Sequence, residues 1–215
     1  MSHTLRFFMT GTDTEVGKTM VTAALASAMR QAGIPVQAIK PMATGGPSPG
    51  EDAELIAEAA GHPPLNLISL PMPASPERAA IEAQQALNYS EILTWIERHT
   101  GPLLVEGVGG WEVPITRSHR VSDLAKDLNL PVVVVAANRL GVLNHTLITV
   151  DAIQRRGLSV AAVVLNEVTP HRTSLADWNL DDLKRHLSMP VIPFPYQPNH
   201  DLAAAGKALL TVLQN

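Results

Sequence analysis

The segment Gly11-Thr12-Asp13-Thr14-Glu15-Val16-Gly17-Lys18-Thr19 constrains this chain more than any other. The apolar run before it, Leu5–Met9, reads as a β-strand. The alanine-rich stretch after it, Gly17–Gln31, reads as a helix stopped by Gly33. A strand that turns through glycines into a helix opening on Gly-Lys-Thr can wrap a phosphate. Backbone N–H groups face the anion, and the helix N-terminus adds partial positive charge. Lys18 is placed to bridge β- and γ-phosphates, and Thr19 to offer its hydroxyl to Mg²⁺. Five residues separate Gly11 from Gly17, one more than the usual spacing.

The rest of the chain alternates short apolar runs with longer amphipathic ones. Strands are expected at Val36–Ile39, Leu103–Val105, Val132–Val135, Val160–Leu165 and Val191–Phe194. Helices are expected at Asp52–Ala60, Ser90–His99, Ser122–Leu128 with Ser122 as N-cap, Leu143–Arg156, Leu180–Leu187 and Asp201–Leu213. Four consecutive valines without polar alternation fit a strand covered on both faces. The expected fold is α/β: one domain over residues 1–215, an open and mostly parallel sheet with helices on both faces, of the phosphate-loop NTPase type. Ligands then bind at the carboxyl ends of the strands. Proline-rich residues 44–88 read as an irregular excursion, a mobile lid or substrate loop.

Composition narrows the chemistry. The 215 residues include no cysteine, which excludes disulfides, thiolate zinc sites and a cysteine nucleophile. A net charge of −4 argues against a broad nucleic-acid face but not against one local anion pocket. The eight histidines form no i,i+4 pair, so no zinc site is expected. No apolar run approaches a membrane span, and the short N-terminal apolar stretch is no signal-peptide core; the expected compartment is the cytoplasm.

Several residues stand where chemistry is done. Glu106 follows a buried strand, and Asp52 starts a helix. With Thr19 they form an oxygen set of the kind Mg²⁺ shares with nucleotide phosphates, although an acid at a helix start is also ordinary. Gly107, Gly109 and Gly110 around Val108 allow close approach to a ligand. Lys40 ends a strand in a chain with only five lysines, placed either to neutralise a developing anion or simply to be solvated. Asn166 also ends a strand; its amide suits a purine edge, but a capping or turn role is the commoner reading. Gly141, Val142, Leu143 and Asn144 open a helix, where N–H groups either bind a carboxylate or are plainly capped.

The loop Thr10–Thr19, extra residue included, resembles that of the dethiobiotin synthetase family. The resemblance continues through Lys40-Pro41-Met42-Ala43-Thr44-Gly45, Glu51-Asp52-Ala53, Val105-Glu106-Gly107-Val108-Gly109-Gly110, Leu140–His145 and Asn166-Glu167-Val168-Thr169-Pro170. It implies ATP-dependent closure of the ureido ring of dethiobiotin from 7,8-diaminononanoate and CO₂, through a carbamate and a carbamic–phosphoric anhydride. It also implies a homodimer with its substrate site at the interface. Lys40, Lys18 and Thr14 would be catalytic; Thr12, Thr44 and Gly141–Asn144 would bind substrate. Glu15, Val16, Gly17, Lys18, Thr19, Met20, Asp52, Glu106, Gly107, Val108 and Gly109 would line the nucleotide phosphates. Asn166, Glu167, Pro193, Phe194, Pro195 and Asn199 would serve the base and ribose, and Thr19, Asp52 and Glu106 the Mg²⁺. One departure is Ser75-Pro76-Glu77, where the family often has Ser-Pro-His.

Other readings fit less well. A partition-type or septum-positioning ATPase carries a second lysine at the start of the loop, and Thr10-Gly11-Thr12 has none. A GTPase needs Asn-Lys-x-Asp, but Asn166 is followed by Glu167. A glutamine-fed ligase needs a cysteine nucleophile.

Overall fold

A computed structural model describes residues 5–170, 174–197 and 202–214. In chain order the elements are β1 (Arg6–Gly11), α1 (Lys18–Gln31), β2 (Gln37–Ile39), β3 (Met42–Thr44), α2 (Glu51–Ala60), β4 (Ile68–Leu70), α3 (Pro76–Glu82) and α4 (Tyr89–Glu97). Then follow β5 (Leu103–Glu106), α5 (Val121–Leu128), β6 (Val132–Ala137), α6 (Val142–Arg155), β7 (Val160–Asn166), α7 (Ser174–His186), β8 (Val191–Phe194) and α8 (Leu202–Leu213). Six strands form one sheet in the order β2-β5-β1-β6-β7-β8, and every pairing in it is parallel. β1 lies inside the sheet, with β5 on one side and β6 on the other. The strand order reverses there, opening a crevice beyond its carboxyl end.

Side chains on a strand alternate between faces, and the valine run shows it. Val133 and Val135 join Met9, Leu25, Met29, Ile56 and Leu209 in a core under α1, α2 and α8. Val132 and Val134 join Phe8, Ile92, Leu124, Ile153 and Leu183 in a second core, under α4, α5, α6 and α7. The sheet is therefore apolar on both faces, as expected from its uninterrupted hydrophobic strands.

Four expectations change. The excursion is more regular than its prolines suggested: β3 pairs parallel with β4, and α3 packs Ala79 and Ala80 against Leu70. These strands are three residues long, too short for a periodic signal. Helix α7 begins at Ser174, before the expected Leu180; its opening turns hold Asp177, Trp178 and Asn179, which hide the apolar period. Ser122 is not the N-cap of α5. Arg120 is, its N–H donating to Asp123 Oδ2 at 2.7 Å, and Ser122 is buried inside the helix. β1 also runs past Met9 to Gly11, so the strand itself delivers the glycine turn.

Helices α1 and α8 touch closely. A Cβ placed on Gly206 would lie 2.0 Å from the carbonyl oxygen of Ala24. In an isolated helix Gly→Ala stabilises by about 1 kcal/mol. Here Gly206→Ala should instead cost about 1–3 kcal/mol, because backbone must move to admit the methyl. The midpoint of chemical denaturation reads the sign.

Candidate active site

The glycine turn is held by local contacts and by its neighbours. Gly17 caps α1 at φ +85°, a left-handed conformation that favours glycine. A Cβ there would also lie 2.1 Å from Asn166 Nδ2. That amide donates to Val16 O at 2.9 Å, tying the turn to the end of β7. Glu15, in the stretch lengthened by one residue, takes φ +56° without being glycine. Lys18 folds back, and its ammonium donates to Asp13 O at 3.1 Å. The Thr12 N–H donates to Val135 O, continuing the β1–β6 pairing into the turn.

Next to the turn lies a compact group of charges. Lys40, at the end of β2, is buried; its Nζ sits 2.6 Å from Glu106 Oε1, 3.0 Å from Asp52 Oδ2 and 3.2 Å from Gly107 O. Thr19 Oγ1 donates to Glu106 Oε1 at 2.9 Å. Glu106 is also buried, and its Oε2 has no hydrogen-bond partner among the described residues. Asp52 enters from the first turn of α2, half exposed. Burial disfavours charge on Lys40, but Glu106 and Asp52 outweigh it and hold its pKa above the usual lysine value. Burial pushes the Asp52 carboxyl up; the Lys40 ammonium, with Lys18 adding to it, outweighs that and holds it below the usual range. Lys18 goes the other way: burial first, then the Lys40 cation, push its ammonium down to about 8.

A cavity of about 770 Å³ opens over this group. It brings together Thr14, Glu15, Gly17, Lys18, Thr19, Met20, Lys40, Thr44, Asp52, Val108 and Gly109 from the expected set. Its outer wall is the excursion, through Gly45, Pro73, Ala74 and Ser75, with Val113 and Pro114 opposite. Other expected residues lie outside this lining. Glu106 lies behind Lys40, and a Cβ on Gly107 would press on the Phe8 ring at 3.3 Å. The side chains of Val16 and Phe194 belong to the first core and that of Val142 to the second, so only their backbone can meet a ligand. Thr12 lies in the turn; Pro193 and Pro195 are exposed around the end of β8. Gly141 and Asn144 are exposed at the start of α6, and Leu143 packs on the second core. Asn199 lies outside the described residues.

Sequence reasoning passed over Asn138, at the end of β6. Its Nδ2 donates to Glu167 Oε1 at 2.8 Å and to Ala176 O at 3.1 Å, and its Oδ1 accepts from Asn179 Nδ2 at 2.9 Å. It ties the end of β6 to Glu167, just past β7, and to α7. The sequence signal was present: Asn138 follows a strand, as Lys40 does.

Among the described residues no group of three or more His, Asp or Glu side chains could hold a metal by itself. The donor set fits Mg²⁺ brought with a nucleotide: a hydroxyl, two carboxylates and an unpartnered buried oxygen, Glu106 Oε2.

The Lys18 shift has a signed consequence. The free ammonium titrates near 8, and a bound triphosphate holds the proton more tightly. Nucleotide affinity should therefore fall as pH rises above about 8. Binding at about pH 9 should take up a large fraction of a proton, and from this group almost none at about pH 7. Titration calorimetry in buffers of different ionisation enthalpy measures the uptake.

The chain matches the family model described as an AAA domain over residues 5–201. It is 39% identical over 217 residues to the ATP-dependent dethiobiotin synthetase BioD of Anaeromyxobacter dehalogenans, covering 96% of each chain. To the protein of the same name from Aromatoleum aromaticum it is 36% identical over 204 residues, covering 89% and 90%. To that of Haloferax mediterranei it is 40% identical over 166 residues, covering 75% and 71%. Among solved structures, chloroplast FtsY of Physcomitrella patens superposes with a TM-score of 0.53 at 17% identity. That match covers 99% of this chain and 66% of the other, and at this identity shows the shared P-loop fold alone. Sequence identity of this extent, on a fold whose phosphate loop and Lys40 meet at one cavity, places the chain in the ATP-dependent dethiobiotin synthetase family.

Proposed function

We propose that this chain, acting as one domain, closes the cyclic urea of dethiobiotin from 7,8-diaminononanoate, CO₂ and ATP. One substrate amine attacks CO₂ and loses a proton, giving a carbamate. A carbamate oxygen attacks the γ-phosphorus, and ADP leaves. The second amine attacks the anhydride carbonyl, loses its proton, and phosphate leaves as the ring closes.

These steps move negative charge, so the protein's task is to hold anions in line and neutralise them. The N–H groups of the turn and the Lys18 ammonium would hold the β- and γ-phosphates. The Lys40 ammonium would face the carbamate and the transferring phosphoryl group, with Thr14 beside it. Thr12 and Thr44 would orient the diamine. Asn166 and Glu167 would meet the base, helped by the Pro193–Pro195 turn. Thr19, Asp52 and Glu106 would hold Mg²⁺, which supplies charge neutralisation on the phosphates. The observation that carries the reading is two lysines converging on one cavity, Lys18 from the start of α1 and Lys40 from the end of β2.

A homodimer in the cytoplasm completes the proposal. Leu140, 85% exposed, precedes α6, and Ile148, 61% exposed, lies midway along it. Large apolar side chains this exposed are suited to burial against a second copy. The Gly141–Asn144 helix start would then hold the substrate carboxylate across the interface.

Phosphate release with ATP, Mg²⁺ and bicarbonate should depend on the diamine; release without it would sink the synthetase reading. Lys40→Ala should keep nucleotide binding while turnover falls about a hundred- to a thousand-fold. Ile148→Glu should shift the mass measured by light scattering toward a monomer; an unchanged mass removes α6 from the interface.

A further inference from the structure

Lys40 is fully occupied in this structure. An ammonium has three N–H groups, and its nitrogen lies within reach of three acceptors of the chain's own: Glu106 Oε1 at 2.6 Å, Asp52 Oδ2 at 3.0 Å and Gly107 O at 3.2 Å. None is left for a carbamate or a phosphoryl group. The lysine proposed to act on substrate is thus held away from it by the two carboxylates proposed to hold the metal.

The two assignments compete for the same oxygens. One ammonium this close to a carboxylate pair already balances half of the pair's charge, and a divalent cation entering beside Lys40 would be repelled by it. The contacts are unequal in strength. The Glu106 contact is short and buried, whereas Asp52 is half exposed and comes from α2, an element of the excursion. The Asp52 contact is therefore the one that breaks first. Thr19 shares in the arrangement, since its hydroxyl donates to the same Glu106 oxygen that Lys40 holds.

We propose that Lys40 is the resident counter-ion of the Asp52–Glu106 pair. It keeps divalent cations weakly bound while the phosphate loop is empty, and it is released toward the cavity when metal and nucleotide arrive together. The inference rests on the metal reading of Thr19, Asp52 and Glu106 above. It adds an order of events: the catalytic ammonium becomes available only after its carboxylates have another partner. That order protects the cavity from an unproductive metal and ties the activation of Lys40 to nucleotide loading.

Mn²⁺, followed by paramagnetic resonance on the full-length protein without nucleotide, serves as the probe. Lys40→Met removes the charge and keeps the length, and should bind Mn²⁺ at least about tenfold more tightly than the parent chain. Lys40→Arg keeps the cation and should bind it as weakly as the parent. Equal Mn²⁺ affinity in the Met variant and the parent overturns the proposal. The unaltered protein gives a reading that survives a variant that fails to fold. The ¹⁵N signal of the Lys40 ammonium should be protected from solvent exchange in the free protein. It should lose that protection or shift when Mg²⁺ and a non-hydrolysable ATP analogue are added together. A signal that stays in place overturns the proposal as well. If Asp52→Asn and Glu106→Gln leave the affinity for Mn²⁺ with nucleotide unchanged, the metal reading itself falls, which is a separate result from failure of the exchange.

Discussion

A carboxylate cannot be buried alone, and Glu106 is the buried carboxylate on which the site is assembled. Its Oε1 takes the Lys40 ammonium from the end of β2 and the Thr19 hydroxyl from the first turn of α1. Three parts of the chain, at residues 19, 40 and 106, are thereby fixed to one another beside the strand-order reversal at β1. Removing one partner of such a pair is costlier than the pair is worth, because the remaining charge stays in a poor solvent. The turn, the lysine and the acid are for this reason one unit, and the excursion joins it through Asp52.

The frame of the fold was readable because each main strand is covered on both faces. Four valines in a row leave few alternatives, and the structure divides them alternately between the two cores. Where the pattern is short or polar it could not be read. β3 and β4 hold three residues each, and their pairing is fixed by the path of the chain through Asn66. That side chain donates to Lys40 O at 2.7 Å and to Ile68 O at 3.1 Å. The Ser122 cap failed for a related reason. Residue type favoured serine, but a cap can form two residues earlier when Asp123 reaches back to the Arg120 N–H.

The site was legible as a set of residue types at strand ends, but its internal pairing was not. Nothing in residue order says that Lys40 and Glu106, 66 positions apart, touch at 2.6 Å, or that Asn166 spends an N–H on Val16. Those contacts come from the sheet order, which sets β2 against β5 and β1 between β5 and β6. Asn138 was missed on the same account: its importance lies in three partners, Glu167 just past β7 and two residues of α7, none of them near it in sequence.

The two lysines of the cavity show how a mildly acidic chain builds a site for a highly anionic ligand. Lys18 is crowded by burial and by a second cation, so its proton is loosely held until phosphate arrives. Lys40 lies between two carboxylates, so its proton is tightly held and its charge is neutralised locally. One lysine is prepared to gain from an anion, and the other is kept charged while shielded from solvent. A site with both cations unpaired would bear a large cost of burying charge in the free protein. Pairing one and loosening the proton of the other keeps that cost down while both ammonium groups stay at the same cavity. The division follows from where the strands end, and it makes the phosphate loop and the Lys40–Glu106 pair parts of one electrostatic device.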